Sequence, residues 1–413
     1  MATKITFFPV GNGDMTLIKL DDEAGTTVLI DCNIRKGADD EEDEEMRDVG
    51  ADLRDRLNRD SDGRPYVDAF LLGHPDKDHC RGMRKHFHLG SLKTYSDDKK
   101  ADSEKQIVIR EMWSSPIVFR RASKEHVLCK DAVAFNTEAK RRVKANRDTK
   151  FAVGDGDRIL VLGEDEDGKT DDLDPILIKV DEVISKINGT ETPGFAATLL
   201  APLPGADEEL EEELTKNNSS VILNIELSAD ESGDTKVRFL SGGDAEVGIW
   251  ELLWDKHKDD PSALEYDMLQ TPHHCSWHSL SHESWSESEG GAEVSSDARS
   301  ALSQIRTGGK IVASSCLIKD DDNDPPCWGA KLEYEEIAEN AGGSFHCTGE
   351  YPKEDEVAPM EFEVSESGFE LQATKKKAKA SAAGPAVLTS GIVKSWESSG
   401  PAPVQKEGGG RYA

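Results

Sequence analysis

Short hydrophobic runs separated by polar, turn-forming residues open the chain, a pattern typical of strands joined by tight turns. The pattern predicts a strand from position 4, a turn at Gly11-Asn12-Gly13-Asp14, and strands over Met15–Leu20 and Thr26–Ile30. A Gly-Asn-Gly turn between two strands is a hairpin signal. Val67–Leu72 is a further short apolar strand, and it runs directly into a polar segment.

Helical periodicity alternates with further strands along the rest of the chain. Helices are predicted over Met46–Arg59, Ala132–Asn146 and Gly329–Ala341, the last ending at a Gly-Gly pair that is typical of a helix C-cap. Additional strands are predicted over Ser219–Leu227, Lys236–Leu240, Met268–Thr271 and Lys310–Ser314. Strands and helices that follow one another in this way indicate an α/β fold.

The chain is strongly acidic, with 82 Asp and Glu against 50 Lys and Arg among 413 residues, a formal net charge of -32. This charge argues against broad, charge-driven binding to DNA or to an anionic membrane. Positions 105–150 are the exception, because 12 basic against 5 acidic residues give that segment a local charge of +7. The segment is suited either to a polyanion or to docking on the chain's own acidic surface. The acidic block Asp39–Glu45 is expected to be a solvated loop.

No apolar run is long enough to cross a membrane, and the N-terminus lacks the apolar region of a signal peptide. The seven cysteines include no Cys-x-x-Cys pair, which fits a reducing compartment better than a disulfide framework. We therefore expect a cytoplasmic protein. Residues 375–413, rich in Ala, Ser, Gly and Pro, are expected to form a disordered tail.

Candidate chemistry is concentrated in His74-Pro75-Asp76-Lys77-Asp78-His79, immediately after a predicted strand. Four possible metal ligands fall within these six residues. Imidazole and carboxylate together suit Zn²⁺, Mn²⁺ or Fe, whereas Mg²⁺ prefers oxygen ligands alone. The alternative is a charged loop that merely solvates the end of the strand.

Three further strand ends carry residues of the same types. Asp31 ends one strand, Asp244 follows another, and His273 and His274 follow the next. Four such clusters of His and Asp in one chain are most simply explained by a centre of two metal ions. Because reactive side chains collect at the carboxyl edge of sheets in layered α/β folds, we expect these clusters to meet there.

The ordered series of motifs resembles the metallo-β-lactamase fold superfamily, and within it the hydrolase domain of ComEC-type competence proteins. In chain order the series is Gly11-Asn12-Gly13-Asp14, Ile30-Asp31, His74 to His79, Asn217-Asn218-Ser219-Ser220, Gly243-Asp244 and His273-His274-Cys275-Ser276. The resemblance implies an αββα sandwich, two mixed β-sheets flanked by helices. It also implies a hydrolase domain over residues 1–370 with an insertion at about 85–200.

The same resemblance implies a centre of two divalent ions, Zn or Mn. His74 and Asp76 would hold the first ion, Asp78 and His79 the second, and Asp244 would bridge both. Either His274 or His273 would complete the second site, while Asp31 would orient a ligand histidine. Two such cations lower the pKa of a shared water to about 7 and so supply hydroxide at neutral pH. Asp78 and His274 are the residues expected to take part in catalysis, with Asp78 orienting the nucleophile.

The chain departs from the superfamily pattern in three places. The middle motif normally supplies another histidine, but between His79 and Asp244 only His86, His88 and His126 are present. Cys275 replaces the usual glycine after the double histidine, as either a soft ligand or, more simply, a small buried residue. A late Gly-His-Pro is replaced by a segment around 326–329 that contains no histidine.

The resulting hypothesis is a metal-dependent hydrolase of phosphodiester bonds in a nucleic acid or nucleotide, a nuclease or phosphodiesterase. Hydroxide attacks a carbonyl as readily as phosphorus, so a thioester, lactone or amide is the alternative substrate. A third reading is a degenerate, non-catalytic scaffold subunit of a multi-protein, possibly defence, system, because expected histidines are missing. The sequence leaves the oligomeric state open.

Overall fold

The computed structural model describes residues 2–35, 47–205, 211, 214, 219–230, 233–288, 292–322 and 324–373. The described residues up to position 373 form one compact unit. The predicted loop Asp39–Glu45, the residues Asn217 and Asn218, and the predicted tail 375–413 lie outside the described residues. No helix within the described ranges combines the length and the apolar character that a membrane span requires.

Twenty strands and eight helices form the described part of the chain. The strands are β1 Lys4–Phe7, β2 Thr16–Lys19, β3 Thr27–Ile30, β4 Asn58–Arg59, β5 Pro65–Leu71, β6 Phe87–His88, β7 Ile107–Ser114, β8 Arg158–Leu162, β9 Leu177–Ile178, β10 Val183–Ile184, β11 Lys186–Ile187, β12 Thr190–Glu191, β13 Phe195–Ala201, β14 Ile222–Ser228, β15 Lys236–Ser241, β16 Tyr266–Gln270, β17 Ile305–Ala313, β18 Ser344–Cys347, β19 Met360–Ser365 and β20 Gly368–Leu371. The helices are α1 Val49–Arg54, α2 Lys77–Cys80, α3 Met83–His86, α4 Pro116–Glu125, α5 Lys130–Asp148, α6 Val247–His257, α7 Ser296–Leu302 and α8 Trp328–Asn340.

Most of these strands form two mixed sheets. The first sheet has the order β20-β19-β1-β2-β3-β5-β7-β8-β9, with β4 paired to β5 and β6 paired to β7. The second has the order β10-β13-β14-β15-β16-β17-β18, and β11 and β12 form a separate hairpin. Strands β3, β5, β7 and β8 run parallel in the first sheet, as do β15 to β18 in the second.

Three apolar clusters separate four layers of secondary structure. The cluster between the first sheet and its helices includes Leu17, Leu29, Leu53, Val67 and Phe135. The cluster between the two sheets includes Ile5, Val28, Ile30, Leu223 and Phe239. The cluster between the second sheet and its helices includes Leu240, Trp250, Leu269, Ala330 and Ile337. These layers confirm the predicted αββα sandwich of two mixed sheets flanked by helices.

Strand β3 shows how the sequence produces this layering. Successive side chains of a strand point to opposite faces of the sheet. Leu29 accordingly packs against the helices, whereas Val28 and Ile30 pack between the sheets. Since both faces are covered, the strand is apolar at nearly every position rather than at alternate ones.

The predicted helices at Ala132–Asn146 and Gly329–Ala341 are confirmed by α5 and α8, with bounds shifted by one or two residues. The predicted helix Met46–Arg59 is wrong in its length. Helix α1 begins after Asp48, whose side chain accepts a hydrogen bond from the Ala51 backbone N–H, and residues 58–59 belong to β4. Met46 itself lies outside the described residues.

Positions 85–200, predicted as an insertion, supply strands to both sheets. Strands β7 and β8 extend the parallel part of the first sheet, and β13 pairs with β14 in the second. Helices α4 and α5, from the same segment, lie between β7 and β8 in the chain. The segment is therefore built into both sheets of the fold.

Candidate metal centre

The loops that leave β3, β5, β15 and β16 meet at one edge of the sandwich. Thr16, on β2, donates a hydrogen bond from Oγ1 to Oε1 of Gln270, on β16, over 3.0 Å, and this buried bond joins the two sheets beneath the loops. The backbone N–H of Val221 donates to the carbonyl of Gly73 over 3.0 Å, a second link between the sheets. The candidate site is therefore formed by both sheets together.

Four buried side chains converge at this edge. Asp14, His79, Asp244 and His274 each offer one possible ligand atom, and these atoms all lie within 4.8 Å of one another. All four residues are at most 2% exposed. Asp14 and His79 lie in segments that adjoin strands β2 and β5 of the first sheet, whereas Asp244 and His274 follow strands β15 and β16 of the second.

The distances within this cluster suit ligands of a common cation. His79 Nε2 lies 2.8 Å from Asp244 Oδ1, and His274 Nδ1 lies 3.4 Å from Asp14 Oδ1. Despite these approaches, each of the four atoms lacks a partner in hydrogen-bond geometry. A buried polar atom without a partner costs about 1–3 kcal/mol, and a shared divalent ion would satisfy all four atoms at once. Two imidazoles with two carboxylates form a donor set that fits Zn²⁺ or Mn²⁺.

Asp31 contacts His79 from outside the cluster. Its Oδ2 lies 2.8 Å from His79 Nδ1, while its Oδ1 accepts the backbone N–H of Gly73 over 2.7 Å. With the Nδ1 proton donated to Asp31, Nε2 of His79 is left to face Asp244. Asp31 adopts a left-handed backbone conformation, φ 58°, which is uncommon for a residue other than glycine. The structure thus places Asp31 in contact with a candidate ligand histidine.

His74 lies beside the cluster, on the other oxygen of Asp244. Its Nδ1 is 3.5 Å from Asp244 Oδ2, and neither ring nitrogen has a hydrogen-bond partner although the side chain is fully buried. Burial lowers the pKa of His74, and the carboxylates of Asp244 and Asp76 act in the opposite direction without reversing this effect. The ring is therefore neutral at neutral pH. Asp244 therefore has one oxygen towards His74 and the other towards His79 and His274, a position suited to a bridging ligand.

Asp78 and His273 lie at the rim of the same cluster. Asp78 Oδ2 is 3.3 Å from His274 Nε2, and the Asp78 side chain is 32% exposed, so solvent reaches it. His273 is half-buried, and its backbone N–H donates to the carbonyl of Gly243 over 2.7 Å. The four-residue cluster thus contains Asp14 where Asp78 was expected, and Asp78 is the carboxylate that faces outwards.

Burial and mutual attraction set the charges of this centre. Burial alone would raise the pKa of Asp244, but His79, His273 and His274 together hold it well below its usual range. Burial would likewise lower the pKa of His274, yet Asp14 and Asp244 raise it to about 10. Burial has the largest effect on the pKa of Asp31 and raises it to about 6, although the neighbouring His79 acts to lower it. In the metal-free protein His274 therefore holds a proton that a cation would have to displace.

The loop after β16 holds its histidines in a strained backbone. Three consecutive residues are left-handed, with φ of 49° at His273, 55° at His274 and 72° at Cys275. Such conformations cost of the order of 1–3 kcal/mol for residues other than glycine and are typical of functional sites. Cys275 is fully buried, so it occupies the expected glycine position as a small core residue.

Ser220 holds the turn that carries Asp244. Its Oγ accepts the backbone N–H of Asp244 over 2.9 Å, which fastens the turn that carries this carboxylate. The Asn217 and Asn218 of the same motif lie outside the described residues.

The three histidines considered as the missing ligand of the middle motif lie outside the buried cluster. His86 lies 3.2 Å from Arg54, and His88 Nε2 contacts the carbonyl of Ser91. His126 is exposed in the loop between α4 and α5. Asp14 is the candidate ligand to which the sequence analysis assigned no role, although its Gly-Asn-Gly-Asp turn was recognised. Its carboxylate in the turn directly before the strand β2 was the available signal.

Comparisons with known proteins give only distant likenesses. No protein-family model and no curated protein matches the chain. Its structure is similar to that of Igni18, described as a novel metallo hydrolase from the hyperthermophilic archaeon Ignicoccus hospitalis KIN4/I, with 10% sequence identity and a TM-score of 0.34 over 88% of this chain and 99% of the other. It is also similar to isothiocyanate hydrolase from Delia radicum gut bacteria, with 12% identity and a TM-score of 0.36 over 87% of this chain and 99% of the other. Likenesses this distant carry no conclusion about activity, so the chemistry of the site has to follow from its own residues.

Proposed function

We propose that this protein is a metal-dependent hydrolase that acts on phosphodiester bonds of a nucleotide or nucleic acid. The observation that carries the proposal is the buried convergence of Asp14, His79, Asp244 and His274. These residues would hold one divalent ion, and His74 with Asp76 would hold a second beside Oδ2 of Asp244. Zn²⁺ and Mn²⁺ are the ions that this mixed set of ligands fits.

The bound ions would supply Lewis acidity and a water of lowered pKa. Asp78 is the residue best placed to act on that water, because it is the partly exposed carboxylate beside the buried cluster. Burial would raise the pKa of Asp78, but the close approach of His274 and the nearby His79 hold the pKa below its usual range. Asp78 therefore stays ionised at neutral pH, and its Oδ2 can accept a hydrogen bond and orient an attacking water.

The charge distribution favours a small phosphodiester over a long duplex. All six arginines of the basic segment 105–150 are ion-paired with carboxylates of the chain itself, namely Arg110, Arg120, Arg121, Arg141, Arg142 and Arg147. These pairs support the interpretation that the segment docks on the chain's own acidic surface. Binding of long nucleic acids depends on basic groups that remain available to phosphates. We therefore rank nucleotides and short oligonucleotides first among the substrates.

The proposal is tested by an activity screen on protein reconstituted with Zn²⁺ or Mn²⁺. The panel contains cyclic nucleotides, short DNA and RNA oligonucleotides, a generic phosphodiester, and thioester and lactone reporters. We expect cleavage of a phosphodiester that is lost on chelation and falls at least about 100-fold in Asp78→Ala, a typical effect of removing a group that acts on a proton. Cleavage confined to the thioester or lactone reporters would replace the phosphodiester assignment and keep the metal-dependent one.

His278→Ala is the matched control for this screen. His278 follows the same loop and its Nε2 lies 3.3 Å from Asp324 Oδ2, outside the buried cluster. Its activity should stay within a few-fold of wild type. Equal activity in wild type and Asp78→Ala, or activity that survives chelation, would contradict the proposed function.

A further inference from the structure

Two cysteines face each other beside the candidate metal centre. The Sγ atoms of Cys80 and Cys129 lie 3.4 Å apart, the one hydrogen-bonded pair of thiols among the described residues. Cys80 is buried and is the last residue of α2, directly after His79. Cys129 is only partly buried and stands at the start of α5. One member of the pair is therefore within reach of solvent, and the other adjoins a candidate ligand.

The surroundings of Cys129 favour its thiolate. Its Sγ accepts the backbone N–H of Ala132 over 3.4 Å, as the N-cap of the 19-residue helix α5. The positive end of a helix dipole stabilises a thiolate, and the thiolate is the reactive form of cysteine. The hydrogen bond with Cys80 acts in the same direction and lowers the pKa of Cys129, against the effect of partial burial.

We propose that Cys129 and Cys80 form an oxidative modification site, in which Cys129 reacts with a peroxide and Cys80 resolves the product into a disulfide. The Cys129 thiolate attacks hydrogen peroxide, so that an S–O bond forms, the O–O bond breaks and hydroxide leaves. The Cys80 thiol then attacks the sulfenic sulfur, so that the S–S bond forms and the S–O bond breaks. The oxygen leaves with the two protons as water. Two thiols are oxidised and one peroxide is reduced to two waters.

Disulfide formation would also move the metal-binding loop. The two sulfurs must approach from 3.4 Å to about 2.05 Å. Cys80 closes the four-residue helix α2 that carries Asp78 and His79, and its Sγ also contacts the carbonyl of Asp76 over 3.1 Å. If the proposed metal function holds, oxidation should lower metal affinity about tenfold, because affinity depends on the groups that hold each ligand in position.

The site is tested on the full chain by peroxide treatment, alkylation of the remaining thiols, trypsin digestion and mass spectrometry. We expect a cross-link, two hydrogens lighter than the sum, between peptides 78–81 and 125–130, reversed by dithiothreitol. The cross-link should vanish in Cys129→Ser, which retains a residue that caps helices well. It should persist in Cys316→Ser, the control at an exposed cysteine.

This readout does not depend on metal or on activity, so it separates the modification site from the proposed function. Alkylation of both thiols after peroxide treatment, with no cross-link, would overturn the proposal. Oxidation of Cys129 to sulfinic acid without a Cys80 adduct would overturn it as well. Cross-links that involve Cys316 in place of Cys129 would have the same consequence.

Discussion

Asp31 illustrates how a residue outside the ligand cluster can control it. Both of its carboxylate oxygens are engaged, one by the Gly73 N–H and one by His79 Nδ1. The substitution Asp31→Asn would place an amide N–H opposite either of these donors and disturb the tautomer of His79. We expect metal affinity to fall by about 10–100-fold, the usual cost of losing such a support. Competition against a chromophoric chelator measures this loss.

Asp68→Asn is the matched control for Asp31→Asn. Asp68 is a buried carboxylate of β5 that accepts from Thr27 and pairs with Arg110, away from the cluster. Its replacement should lower the free energy of unfolding and leave metal affinity unchanged. Equal loss of affinity in the two variants would contradict the role given to Asp31.

His274 gives the metal-free protein a definite dependence of stability on pH. Its pKa is raised from 6.5 to about 10 in the folded state, because Asp14 and Asp244 outweigh the effect of burial. The protonated ring therefore stabilises the fold fully below pH 6.5, and this contribution is lost as the pH rises towards 10. Urea unfolding of chelator-treated protein at pH 6 and pH 9.5 should show a decline that is smaller in His274→Gln. An identical decline in the variant would exclude His274 as its source.

At the scale of elements, the hairpin turn before β2 holds Asp14 through very close packing. A Cβ added to Gly13 would lie 2.0 Å from Asn33 Nδ2 and 2.7 Å from the Asp78 carbonyl, at φ +152°. Gly13→Ala should therefore displace the turn, destabilise the protein by more than about 1 kcal/mol and weaken metal binding. Gly248→Ala, in helix α6 with no atom within 4 Å of the added Cβ, should instead stabilise by about 0.4–1 kcal/mol. Chemical unfolding of both variants checks the contrast.

Strand β7 shows why part of the fold could not be predicted from the sequence. Its apolar run is interrupted by Arg110 and Glu111, and no strand was predicted there. The structure accommodates both residues, since Arg110 stacks 3.4 Å from the Tyr66 ring centroid and Glu111 accepts a hydrogen bond from Trp113 Nε1 over 2.8 Å. These partners are distant contacts or local bonds that periodicity does not reveal. Strand β3 was predictable because its apolar run is continuous, and β5 was predictable because an unbroken apolar run follows Asp68.

The location of the candidate site was predictable from the sequence, but the pairing of its residues was not. Strand ends rich in His and Asp indicated the edge at which His79, Asp244 and His274 meet, and the layered fold confirmed that such an edge exists. The pairing of Asp14 with His274 depends on how the two sheets are stacked, which the spacing of residues along the chain does not encode. The assignment of individual ligands remains a prediction.

For the whole molecule, the main consequence is that the candidate ligands come from segments adjoining both sheets. An ion bound by Asp14 and His79 beside one sheet and by Asp244 and His274 beside the other would fasten the sandwich at its open edge. Binding to the folded state alone contributes about 2.7 kcal/mol at a hundredfold excess over Kd. We expect Zn²⁺ or Mn²⁺ to raise the Tm by several degrees, measured by calorimetry. Asp244→Ala should show no such rise, and a metal-induced rise in that variant equal to wild type would contradict the shared site.

The structure shows that the main basic segment of the chain does not offset its net negative charge towards other molecules. Basic residues of 105–150 are largely neutralised within the fold, as in the buried pair Arg142–Glu138 and the pair Arg121–Glu211. The protein therefore presents its net charge of -32 to other molecules, and segment 105–150 offers no large group of unpaired basic residues to offset it. An anionic substrate would depend on the metal centre itself for its attraction.

The most direct test of the central claim is the metal content of the purified protein after reconstitution with Zn²⁺ or Mn²⁺ and removal of excess ion. We expect at least one tightly bound equivalent per chain in wild type, with a second equivalent if His74 and Asp76 complete the dinuclear centre. Asp244→Ala should retain almost none, and His278→Ala should bind as wild type does. Wild-type protein that binds no metal, or Asp244→Ala that binds as much as wild type, would contradict the account.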